Sequence, residues 1–182
     1  DTGAEFLKAI EKIEAVGCSG IILDLRNNGG GYENQADIVA DRILPEGIIA
    51  YSEDKNGNRI SEIKSDETCI DVPLVVLVNE RTASASELVT GAIRDHKKGT
   101  IVGGKTYGKA LGQTTREYTK DGSGIILTVA RYFTPSGECI HGTGITPDVP
   151  VELPEEYRDA ALEEIPFEQD AQLQKAFEIL KK

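Results

Sequence analysis

Arg81-Thr82-Ala83-Ser84-Ala85-Ser86-Glu87-Leu88-Val89-Thr90-Gly91-Ala92-Ile93-Arg94-Asp95 is followed, after one short apolar run, by Gly103-Gly104-Lys105-Thr106-Tyr107-Gly108-Lys109. Leu88 and Ala92, flanked by Val89 and Ile93, recur at helical spacing, so a helix with one buried face is expected from Ala83 to Arg94. The apolar run Pro73-Leu74-Val75-Val76-Leu77-Val78-Asn79 before it and Gly99 to Gly104 after it have strand length and β-branched content. Strand, helix and strand in succession indicate an α/β fold, in which ligands gather outside the carboxyl ends of strands. Ser84 stands at such an end, at the mouth of the helix. Lys109 follows the next strand, framed by glycines.

Working toward the amino terminus, Ser19-Gly20-Ile21-Ile22-Leu23-Asp24-Leu25 reads as a further buried strand. It empties into Arg26-Asn27-Asn28-Gly29-Gly30-Gly31, and Tyr32 to Leu44 is again helical in pattern. Three consecutive glycines let the backbone take positive φ and approach a ligand closely. Amides at a strand-to-helix turn, with the helix dipole behind them, form an anion-binding nest. The first helix is expected to open on the capping box Thr2-Gly3-Ala4-Glu5 and to carry Phe6, Ile10 and Ile13 as its apolar stripe, ending near Gly17.

Gly47 to Glu53 and Arg59 to Lys64 alternate around Asn56-Gly57, a hairpin signature that reads as a decoration on the α/β core. Gln113 to Tyr118 and Gly124 to Tyr132 form a second, longer hairpin around Asp121-Gly122-Ser123-Gly124. Thr134-Pro135-Ser136-Gly137 is a turn, and Gly144-Ile145-Thr146-Pro147-Asp148-Val149 leads to a last extended piece. Phe167 to Leu180 closes the chain as a helix. The 182 residues have the bulk of one full-sized domain, residues 1–182, with no repeat or linker inside it.

The net charge of -11 repels phosphate backbones, which argues against a nucleic-acid partner. No apolar run approaches the roughly 18 residues of a membrane span. Cys18, Cys69 and Cys139 are odd in number and far apart, so no disulfide framework is expected. Together with His96 and His141 they also lack familiar metal-ligand spacing, so no metal site is expected. The chain contains no Met and begins Asp1-Thr2-Gly3, and it reads as a fragment of a longer polypeptide.

Ser84 has two readings at this stage. Ser84-Ala85-Ser86-Glu87 is itself a capping box, and a serine at a helix mouth between small neighbours is also a suitable nucleophile. A hydroxyl needs a base. His96 lies a dozen residues down the same helix, roughly 18 Å away at 1.5 Å per residue. A lysine is then the remaining candidate, and it serves only when neutral. Taking a lysine from its ordinary pKa near 10.4 to about 7 costs roughly 4.6 kcal/mol, which burial can supply. Lys109, among Tyr107, Gly108, Ala110 and Leu111, suits this better than Lys97 or Lys98 in their charged run. Gly103 to Lys109 also approximates a phosphate-binding loop, but Ala110 stands where a Ser or Thr should hold magnesium and a strand follows.

These residues resemble the carboxyl-terminal processing, or tail-specific, serine proteases. The resemblance rests on Leu23 to Gly31, on Ser84 to Glu87, on Gly103 to Lys109, and on Thr134 to Gly137 with Gly144 to Asp148, in that order along nearly the whole chain. It implies a crotonase-like α/β protease core with an added antiparallel β region. Ser84 would be the acylating nucleophile, Lys109 the general base and Gln113, at helical-type spacing from it, the residue that orients the lysine. Backbone amides of Ala85 and of Gly29 or Gly30 would form the oxyanion hole. Asp95, which matches an acidic position in some members, is expected to be structural, and Arg26 to anchor its turn.

The resemblance further implies cleavage of protein or peptide substrates at exposed C-terminal tails, without metal or organic cofactor, in an extracytoplasmic setting such as periplasm, cell surface or lumen. A peptide-binding PDZ domain, usual upstream in the family, has no counterpart in this stretch, and homo-oligomerisation is left open. Two other readings stand beside it: a non-catalytic peptide- or lipid-binding relative of the same fold, and a crotonase-like acyl-CoA enzyme.

Overall fold

The computed structural model describes residues 1–157 and 160–181. Its order is α1 (Thr2–Ala15), β1 (Ile21–Asp24), α2 (Glu33–Ile43), β2 (Gly47–Glu53), β3 (Arg59–Ser65), β4 (Leu74–Val78), α3 (Ala85–Asp95) and β5 (Thr100–Gly103). There follow β6 (Leu111–Glu117), β7 (Gly124–Phe133), β8 (Val149–Pro150), three short 3₁₀ turns and α4 (Ala171–Leu180). The strands form two sheets, one ordered β1-β4-β5-β8 and parallel, the other β3-β2-β7-β6 and antiparallel.

β4 shows why the parallel sheet is buried on both faces. Successive side chains point to opposite sides, so Leu74, Val76 and Val78 join Ile21 and Ile101 in the core with α2 and α3, while Val75 and Leu77 join Val102 and Ala176 against α4. All five β4 residues are buried, each contributing about 1.5–3 kcal/mol by leaving water. Ile49 and Ala50 of β2 enter the first of these cores from the antiparallel sheet. Helices α2 and α3 therefore lie between the two sheets. Among the described residues no helix is long and apolar enough to cross a membrane.

The α/β class and the order of elements are as expected, with four local differences. Asp1, not Thr2, caps α1, its side chain accepting the Ala4 N–H at 3.4 Å. The β2–β3 hairpin is no decoration: β2 pairs with β7 through Tyr51–Phe133, Ser52–Tyr132 and Glu53–Arg131, and Tyr51 stacks on Phe133 at 5.1 Å. Local turn chemistry announces a hairpin but says nothing of which distant strand its outer edge will meet. The closing helix starts late, because Phe167–Gln169 is a 3₁₀ turn and Asp170 caps α4, accepting the Leu173 N–H at 2.9 Å. Finally α3 is buried from Ala85 through Ile93 on all sides, not on one face, since it is covered by a sheet above and below.

Candidate active site

The strand-end turns after β1 and β4 lie side by side because those strands are parallel neighbours. Ala83 donates its N–H to the Asn28 carbonyl at 3.0 Å, joining the two turns directly. Asn79 braces them from beneath. Its Oδ1 accepts from the Asn27 N–H at 2.9 Å and its amide donates to Asn27 Oδ1 at 2.8 Å. Thr82 adds a hydroxyl bond to the Leu25 carbonyl at 2.8 Å.

Ser84 takes φ 58° and ψ -122°, a left-handed backbone that a side-chain-bearing residue adopts at a cost of about 1–3 kcal/mol. Strain of this kind persists only where the surroundings enforce it, and a serine on a strained strand-to-helix turn is the geometry of a nucleophile elbow. The cap reading is also correct. The Glu87 half of the capping box is formed: Glu87 accepts the Ser84 N–H at 2.9 Å, while the Glu87 N–H goes to the Ser84 carbonyl at 2.8 Å. Ala85 is the first residue of α3, so its N–H has no acceptor within the helix.

Gly30 is the glycine that meets this turn. Its φ is +87°, and a Cβ there would lie 2.6 Å from the Ala83 carbonyl oxygen, 2.8 Å from the Ala85 nitrogen and 2.9 Å from Ser84 Cβ. Only a residue without a side chain fits. The Gly30 N–H donates to Asn28 Oδ1 at 3.0 Å, and around Gly29 and Gly31 a Cβ would meet nothing within 4 Å.

Glu87 carries the geometry from the serine to the lysine. It is fully buried, and its Oε1 accepts from the Thr106 hydroxyl at 2.6 Å and the Gly108 N–H at 2.7 Å. Its Oε2 accepts from the Lys109 N–H at 2.8 Å as well as from Ser84. One carboxylate thus fixes the backbone of both residues. The Lys109 loop is backed by the segment after the Thr134 turn, with Gly142 N–H donating to the Gly108 carbonyl at 2.9 Å and Ile145 N–H to Thr106 Oγ1 at 2.7 Å. Asp95 holds that turn by accepting the Ser136 N–H at 2.9 Å, and its carboxyl stays below its ordinary range because bonds from Thr134, Ser136 and Arg94 outweigh the opposing effect of burial.

A cleft of about 490 Å³ brings the expected residues together: Gly29, Gly30, Ser84, Ala85, Lys109 and Gln113 all line it. Ser84 and Lys109 are half-buried and Gln113 exposed. The interval from Lys109 to Gln113 is not helical, since Leu111 already begins β6, so the two share the cleft along an extended segment. The same strand rules out a phosphate-binding loop, which needs a helix after its lysine. His96 lies at the far end of α3 with Nε2 2.8 Å from the Ile48 carbonyl.

Sequence reasoning passed over Glu33, Asp37 and Tyr132. Glu33 and Tyr132 also line the cleft, and the Tyr132 hydroxyl donates to Glu33. Burial first, then Glu33, raises the Tyr132 phenol above its ordinary pKa. Burial and the Glu33 charge push the Asp37 carboxyl up to about 6. The four-residue spacing of Glu33 and Asp37 was the available signal. Tyr132 carried none, because it arrives from the other sheet.

The model of peptidase family S41 matches residues 1–151. A carboxyl-terminal-processing protease of Synechocystis is 43% identical over 176 residues, covering 97% of this chain and 40% of its own length. A chloroplastic C-terminal processing peptidase of Tetradesmus obliquus is 43% identical over 151 residues, covering 82% of this chain and 32% of its own. The chain thus spans well under half the length of these relatives. Among solved structures, a photosystem II D1 C-terminal processing protease superposes with a TM-score of 0.77 at 42% identity, over 84% of this chain and 40% of the other.

Proposed function

The chain belongs to peptidase family S41, and from that premise we propose that it is the catalytic core of a serine endopeptidase that cleaves proteins at or near their C-terminal tails through a Ser84–Lys109 dyad. The observation that carries this reading is the strained turn at Ser84, tied by Glu87 to the Lys109 backbone inside one cleft. Lys109 takes the Ser84 hydroxyl proton as Oγ attacks the scissile carbonyl carbon. The resulting ammonium returns that proton to the departing amine nitrogen as the C–N bond breaks, leaving an ester on Ser84. Water, deprotonated by Lys109 in turn, cleaves the ester and restores the serine.

The oxyanion forms beside the N-terminus of α3, where the Ala85 N–H is open and the helix dipole is favourable. The second donor comes from the glycine turn: the Gly29 N–H, or the Gly30 N–H once the substrate oxygen replaces Asn28 Oδ1. Gln113 orients the lysine from the rim. A hollow of about 190 Å³ shares Gly30 and Ala85 with the cleft and is lined by Leu25, Val39 and Val89 among others. It suits an apolar side chain on the residue whose carbonyl is attacked. Extended C-terminal tails are the substrates in this reading and an extracytoplasmic compartment its setting, as the family resemblance implies.

The test is digestion of unfolded casein followed by mass spectrometry, with Ser84→Ala and Lys109→Ala alongside. Cleavage abolished in both, with circular dichroism unchanged, is the expected result. Cleavage that survives Ser84→Ala would refute the nucleophile. A crotonase-like acyl-CoA enzyme would instead bind CoA in calorimetry.

A further inference from the structure

We propose that α4, acting through Asp170 and Gln172, is a positioning element for the oxyanion turn, holding Arg26 and with it the backbone of Asn27 to Gly31. The mechanical part stands on geometry alone, and its catalytic consequence rests on the reading above.

The Arg26 side chain is 2% exposed, so every donor it carries must find an acceptor inside the protein. Nε and Nη2 reach Asp24, the latter at 2.6 Å, where β1 ends. Nη1 reaches Asp170 Oδ1 at 2.9 Å and Gln172 Oε1 at 3.1 Å, both on residues that are themselves 2% exposed. Asp170 is at the same time the cap of α4, and Gln172 donates to the Val151 carbonyl at 2.8 Å. A planar guanidinium in such a fork has little freedom. The start of α4 therefore dictates where the Arg26 backbone sits, and that backbone is further tied by its N–H to Asp24 at 3.0 Å.

Immediately downstream, Asn27 is held in a positive-φ conformation (59°) and bonded to Asn79. The turn is thus gripped from two sides, by Asn79 beneath the nucleophile and by α4 beyond the sheet. Asp170 and Gln172 lie outside residues 1–151 matched by the family model. Without the Asp170 charge, the buried guanidinium has, among the described residues, only Asp24, 35% exposed, to balance it. It would follow Asp24 toward solvent and draw the turn with it.

Asp170→Asn is the chosen variant, because asparagine keeps the helix cap while removing the charge. Two quantities are read on the whole chain: hydrogen exchange of the peptide covering residues 27–31, and apparent kcat and KM on fluorescein-labelled casein. Exchange should accelerate roughly tenfold or more while α4 stays protected, and kcat should fall roughly 10–100-fold with KM nearly unchanged, because oxyanion donors act in the transition state. Gln172→Ala, which keeps the ion pair, should move both in the same direction by less, and it decides the matter if Asp170→Asn fails to fold. Ser84→Ala should leave exchange of the turn untouched. Should the wild-type chain leave casein uncut, exchange alone decides the mechanical claim. Unchanged exchange, or a loosened turn with full kcat in an active enzyme, would overturn the proposal.

Discussion

At the scale of single residues, the glycine turn shows how unequal identical neighbours can be. Gly30 combines φ +87° with sub-3 Å approaches to the Ser84 turn, whereas a side chain on Gly31 would enter open space. Gly30→Ala should therefore destabilise the fold by about 1–3 kcal/mol through backbone strain and steric overlap and abolish casein cleavage. Gly31→Ala should stay within about 0.5 kcal/mol of the parent. Urea titrations of the two variants check this, and equal midpoints would show that the turn is not pressed against Ser84. Three glycines in a row announced a close backbone approach in the sequence, but which of them makes it depends on a second turn reached only through the pairing of β1 with β4. Glu87 is similar: Ser-x-x-Glu spelled a cap, and the cap exists, yet the bonds to Thr106, Gly108 and Lys109 come from a loop the helix does not contain.

At the scale of elements, α2 carries a pH-dependent liability. Asp37 lies one turn beyond Glu33, whose other neighbour is the Tyr132 hydroxyl, and its carboxyl is raised from an ordinary 3.8 to about 6, first by burial and then by Glu33. The folded state thus holds this proton more tightly than the unfolded chain does. The stabilisation from that proton is fully present below about pH 4 and is lost as pH rises through about 6. With solvent screening of a half-buried group, ionised Asp37 costs about 1–2 kcal/mol at neutral pH. Asp37→Asn should therefore melt about 2–6 °C above the parent at pH 7.5, with the gap closing near pH 4. Thermal melts at the two pH values measure it, and a gap that widens on acidification would contradict the assignment. The helix itself was legible from its pattern, but the charge strain was not, because burial of Asp37 is set by the tertiary packing around α2.

At the scale of the whole molecule, the parallel sheet needs cover on both faces, and α4 supplies it for Val75, Leu77 and Val102 through Ala176. Ending the chain after Pro166 should expose that face and yield protein that binds the hydrophobic dye ANS and aggregates. A monomeric, sharply melting product would show that α4 is dispensable for folding. The sequence alone determined the α/β class and the order of strands and helices, and it nominated Ser84, Lys109, Gly29 and Gly30 as site candidates. Those follow from hydrophobic period, turn chemistry and motif spacing, all written within a few residues of one another. Tertiary structure alone decided that β2 joins β7, that α3 is buried all round, that one carboxylate grips both the Ser84 and Lys109 backbones, and that Arg26 is locked to Asp170. Each of these joins residues remote in the chain, whose meeting is set by packing free energy summed over the whole core, a quantity that no local stretch of sequence contains.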